Sequence, residues 1–143
     1  PSPPPLPSPA MSSVATSRGS SCTTHGFTVQ VDPRYLPQNS DPSRGAFVFA
    51  YHITITNGSL RAATLRRRRW LIIDADGERH TVEGEGVVGQ EPLLEPGDSY
   101  QYTSFCPLET RWGTMEGAYE MESDDGVRFE IAIGRFFLVG PEA

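Results

Sequence analysis

Residues able to hold a phosphate, a metal or a reacting proton fall in a few places along this chain. Gly84-Glu85-Gly86-Val87-Val88-Gly89 matches G-x-G-x-x-G. With that spacing, backbone amides cradle a pyrophosphate when the run lies between a strand and a helix N-terminus. Here Gln90-Glu91-Pro92-Leu93-Leu94-Glu95-Pro96 follows, and its two prolines forbid that helix. Glu83, Glu85 and Glu91 add negative charge where phosphate would sit. The run therefore reads first as a stiff corner between two sheets, its glycines supplying positive φ and close backbone approach. Pyrophosphate held by Gly84, Gly86 and Gly89 is the second reading.

The arginine run Arg66-Arg67-Arg68-Arg69 can grip phosphate or carboxylate bidentately. On a strand the four split two and two. Arg66 and Arg68 share the face of Trp70 and Ile72, while Arg67 and Arg69 share that of Leu71 and Ile73. The arginines cannot all cover a core, so this half of the strand belongs near the surface or an edge, paired with glutamates. Beside the glycine run, Arg67 and Arg69 would complete an anion site. His25, His52 and His80 fall in three separate strands with no ligand spacing, so no metal set is read from them. Asp124-Asp125 reads as a turn. No Ser/His/Asp or Cys/His set is recognisable.

Composition narrows the classes further. The 143 residues carry a formal charge of −6, which favours neither nucleic acid nor an anionic membrane. All 12 basic residues are arginine, which excludes a Schiff-base lysine and a Walker lysine. Cys22 and Cys106 are too few for a disulfide scaffold and read as free thiols of a reducing compartment. With no apolar span of membrane length and no signal-peptide pattern, a cytoplasmic protein is expected.

Residues 1–24 are rich in proline, then serine and threonine, and should form an unpacked leader or linker. From 25 to 139 the apolar period is two, not 3.6. Strands are expected over 27–31, 46–57, 65–74, 78–82, 98–105, 114–122 and 127–138. Asn57-Gly58, Asp76-Gly77 and Asp124-Asp125-Gly126 are turn signals. After Gly134 the apolar phase shifts to Phe136 and Leu138, which predicts a bulge. Residues 140–143 form a short tail. About seven antiparallel strands read as an all-β immunoglobulin/fibronectin III-like β-sandwich, with a closed barrel as the alternative.

Several of these segments together resemble the ApaG family. They are Phe47-Val48-Phe49-Ala50-Tyr51, Arg69-Trp70-Leu71-Ile72, residues 83–89, Pro92-Leu93 with Pro96-Gly97, Tyr100-Gln101-Tyr102-Thr103-Ser104, residues 113–121 and residues 129–138. The resemblance covers nearly all of the folded part. It implies a sandwich without established catalytic activity or cofactor. In bacteria it implies a small cytosolic protein linked to cobalt and magnesium tolerance, encoded near a diadenosine-tetraphosphate hydrolase. In eukaryotes it implies a protein-interaction module attached to F-box proteins and a polymerase-delta-interacting protein. The family's glycine run is regarded as a possible pyrophosphate site, here Gly84, Gly86 and Gly89. Gly134 departs from the family's common proline.

The functional expectation is a non-enzymatic module that binds a protein partner, with Trp70, Tyr100, Tyr102 and Tyr119 as aromatic anchors. A pyrophosphate or dinucleoside polyphosphate sensor and a divalent-cation protein are the alternatives.

Overall fold

Alternation of apolar and polar side chains governs nearly every element of the computed structural model, which describes residues 18–141. Strand β1 (Ser20–Thr24) turns into β2 (Phe27–Tyr35), and two short 3-10 turns lead to β3 (Phe47–Asn57). Then follow β4 (Ala63–Asp74), β5 (Arg79–Glu85), the two-residue β6 (Leu93–Leu94), β7 (Ser99–Leu108), β8 (Trp112–Ser123) and β9 (Arg128–Val139). One sheet has the order β1-β2-β3-β7 and the other β5-β4-β8-β9, and every pairing is antiparallel. The result is a two-sheet β-sandwich, not a barrel.

The core lies between the sheets because each strand's apolar residues recur at period two. Phe47, Phe49, Tyr51, Ile53 and Ile55 of β3 are all buried. Opposite them lie Trp70, Met115, Tyr119, Ile131 and Phe136. Trp70 is the hub, with ring centroids 5.3 Å from Tyr51, 5.9 Å from Phe136 and 6.4 Å from Tyr119. Edge-to-face geometry of this kind adds to the area term. The one buried polar side chain among the described residues, Asn57, donates to the carbonyls of Arg61 and Leu94 and accepts from the Ser59 amide. Its desolvation is thereby offset.

Order begins earlier than composition predicts. Ser20–Thr24, expected to be part of the unpacked leader, pairs along its length with β2. Ser20 Oγ also donates to the Gly134 carbonyl, and the Ala132 amide donates to Thr24 Oγ1, so β1 ties the first sheet to β9 of the second. Serine and threonine are compatible with a half-exposed strand, and nothing in their polarity announces one. The expectation for residues 1–17 lies outside the described residues. At Gly134 the β8–β9 register slips between Met115 and Gly117, which is the predicted bulge. No helix among the described residues is long and apolar enough to cross a membrane.

Candidate functional site

The glycine run does not join the sheets. Both β5, before it, and β6, after it, pair with the same side of β4, so the run is an excursion within one sheet. Val87 and Gln90 exchange backbone hydrogen bonds of 2.8 Å in both directions. Val88 (φ 42) and Gly89 (φ 81) between them both have positive φ. That is a two-residue hairpin turn of the primed type. The Gly86 amide donates to the Arg66 carbonyl. Three of the loop's amides are thus engaged within the protein.

The arginine run lies on β4, which is an inner strand flanked by β5 and β8 and not an edge. Its facing differs from simple alternation because the register with β8 slips between Leu65 and Arg67. The extra residue, Arg66, shifts the phase. Arg66, expected on the Trp70 face, points outward with Arg67 and Arg69. Arg66 pairs with Glu91 at 2.9 Å and Glu122 at 3.0 Å, and Arg69 pairs with Glu130 at 2.9 Å. Arg67 sits 4.0 Å from both Glu83 and Glu85. Arg67 and Arg69 therefore do not converge with Gly84, Gly86 and Gly89 on a common ligand position. Carboxylates already occupy them.

Arg68 alone follows the Trp70 face inward. Its Nη1 donates to the carbonyls of Glu85 and Gly86 at 2.9 Å each, and its guanidinium fills the space that a Cβ on Gly84 would need. Among the described residues it has no carboxylate partner. Sequence reading missed Arg68 as the distinctive arginine. The signal was its even spacing from Trp70, uninterrupted by the bulge.

Burial also corrects the expected aromatic anchors. Trp70 is 2% exposed, Tyr102 8% and Tyr119 0%, so they pack between the sheets and are not presented to a partner. Tyr100 is half-buried against the core. The Tyr102 and Tyr119 hydroxyls hydrogen-bond to each other. Burial raises both phenols above their usual pKa, and it raises Tyr51 as well, with Ser104 and Arg68 opposing that rise.

What these residues surround is a groove. The sandwich stays open where β5 and β7 are the edge strands of their sheets, leaving a cavity of about 460 Å³. Trp70 and Ile72 form its floor, and Val82 and residues 104–108 form its walls. Val82 is 43% exposed at the rim, whereas the Phe105 side chain, 62% exposed, alternates with Cys106 and faces outward beside Ala50, so that only its backbone borders the groove. Arg68 stands at one end, and Asp74, Glu78, His80 and Glu109 stand towards the other. Ligand atoms of Asp74, Glu78 and His80 lie within 4.8 Å of one another, a grouping that strand-by-strand inspection of the histidines did not foresee. The β4–β5 hairpin creates it by folding His80 back beside Ile72. Asp74 Oδ1 already accepts the amides of Asp76 and Glu78. His52, by contrast, bonds Thr103 and Gln101 on the outer face of the first sheet.

Fold and groove define an antiparallel β-sandwich domain with one open side. Comparison with known proteins narrows that class. The ApaG domain model matches residues 37–123. Protein ApaG of Brucella canis is 48% identical over 122 residues, 85% of this chain and 94% of its own length. Protein ApaG of Bordetella pertussis is 46% identical over 117 residues, covering 82% and 89%. The crystal structure of the putative ApaA protein from Bordetella pertussis superposes with a TM-score of 0.79 at 46% identity, covering 82% of this chain and 95% of that one. The C-terminal domain of wzt has a TM-score of 0.50 at 12% identity, a likeness of fold alone. The chain belongs to the ApaG domain family.

Proposed function

We propose that this chain is a binding module and not a catalyst, and that its open groove receives a segment of a protein partner. The observation that carries this reading is the pair of edge strands β5 and β7, unpartnered on that side among the described residues, flanking an apolar floor with Val82 exposed at the rim. Edge strands left open in this way are templates for an added segment. Groove chemistry supports binding over bond-making. The only thiol lining it, Cys106, is pushed up to about 11 by burial and so stays protonated and weakly nucleophilic at neutral pH.

The test places a photoreactive phenylalanine analogue at position 82, or at Phe137 of β9 as an exposed control, in extract from the parent cells. The reading expects a crosslinked protein at 82 that is absent at 137 and absent at 82 when Ser104→Arg narrows the groove. Identical adducts at both positions, or none at 82, would overturn it.

A further inference from the structure

The two ends of the groove differ in charge, and that difference has no counterpart inside the protein. Every other arginine of the run meets a glutamate on the outer face. Arg68 faces the cavity, two of its N–H groups held by the Glu85 and Gly86 carbonyls. Its Nη2 and Nε have no acceptor among the described residues. At the other end, Asp74, Glu78 and Glu109 line the same cavity, and no arginine pairs with them among the described residues. Between the ends the surface is apolar.

Distance decides what kind of occupant matches both ends. Arg68 and Asp74 lie six positions apart on one strand, so about 20 Å separates them at roughly 3.3 Å per residue. A pyrophosphate is too short to reach from one to the other, whereas an extended peptide of about six residues spans that length.

Building on the binding-module reading above, we propose that the groove selects an extended peptide of opposed ends. A carboxylate, from an acidic side chain or a chain terminus, meets Arg68, and a basic side chain meets Asp74, Glu78 and Glu109. Small apolar side chains lie over Ile72 and Val82 between them. Residues 104–108 of β7 line the groove without interruption and offer main-chain hydrogen bonds that do not depend on the peptide's sequence, while the charged ends fix its direction. Pro107 lacks an N–H, so the ladder along β7 is incomplete and the ends matter more.

The experiment is fluorescence polarisation with labelled hexapeptides and the full chain. Probes are Asp-Val-Thr-Val-Thr-Lys, its reverse, their Asn/Gln versions, and versions with the same charge at both ends. One direction of the opposed-end peptide is expected to bind about tenfold more tightly than its neutral version, as one unscreened charge contact is worth. Arg68→Gln should abolish the preference for the acidic end. Because that change also loosens the 85–86 loop, the exposed pair Glu78→Gln with Glu109→Gln provides the second variant, and should abolish the preference for the basic end. Equal affinity for charged and neutral peptides overturns the proposal. So does Arg68-dependent binding of sodium pyrophosphate with no peptide preference, which would reveal a simple anion site. If crosslinking at position 82 succeeds while the peptide series shows no charge preference, only the charge rule falls. If crosslinking fails as well, the module reading falls with it.

Discussion

At the scale of single residues, the chemistry of the groove is governed by burial. Cys106 is buried, and desolvation lifts its thiol from 9.0 to about 11. Tyr51, Tyr102 and Tyr119 are raised from 10.0 by the same cause. The sign for stability follows from linkage. Each group holds its proton more tightly when folded than when unfolded, so its contribution is fully present below the unfolded pKa and is lost as pH rises through the folded one. Stability should be nearly flat with respect to these groups up to about pH 9, then fall between pH 9 and 11 as the unfolded chain releases the Cys106 proton. Above pH 10 the tyrosines steepen that fall. Urea midpoints at pH 8, 10 and 11 check it. In Cys106→Ala the loss between pH 9 and 11 should shrink by on the order of 2 kcal/mol. An unchanged slope would place the thiol in a more solvated setting than its burial implies.

At the scale of elements, the glycine loop separates what was legible in the sequence from what was not. The run was recognisable as a rigid loop because its punctuation is local. Its geometry was not, because Val88-Gly89 is a poor signature for a primed turn that Asn-Gly would announce. The Arg66 bulge was equally hidden. It is set by the register between β4 and β8, a pairing more than fifty residues apart in sequence, whereas the Gly134 bulge was visible because the apolar phase of its own strand shifts. The arginine that faces the groove could be named only once the first bulge was known. The turn itself makes a prediction. Val88→Asn relieves a β-branched residue held at φ 42 and should stabilise the domain by about 0.5–1 kcal/mol. Gly86→Ala should destabilise it by roughly 2 kcal/mol or more, because φ is +63 and a Cβ there would lie 2.2 Å from the Gln90 carbonyl oxygen. Thermal melts of the two variants, read side by side, test the pair. Equal melting points would mean that the loop has no fixed conformation.

At the scale of the whole molecule, the sandwich is closed on one side and open on the other, and that asymmetry makes a groove out of a fold. Alternation, turn dipeptides and composition together were enough to read two antiparallel sheets, because each strand carries its own period-two pattern. They were not enough to show that β1 bridges the sheets, since Ser20–Thr24 has no apolar alternation and owes its order to partners far along the chain. β1 reaches β9 through the Ser20 hydroxyl and the Thr24 side chain, and it sets Cys22 beside Gly134. Among the described residues no strand plays that part between β5 and β7. If β1 is the closure, a chain beginning at residue 25 should still fold, because the buried residues of β2, β3, β8 and β9 remain. It should lose about 2 kcal/mol, the net worth of a short ladder and two cross-sheet hydrogen bonds after the entropy of ordering five residues. The loss should appear as a lower urea midpoint, with faster hydrogen exchange concentrated in β2 and β9. Exchange in β5 and β7 should not change, and neither should peptide affinity at the groove. Faster exchange spread evenly over both sheets would show instead that β1 supports the fold as a whole and does not close one side of it.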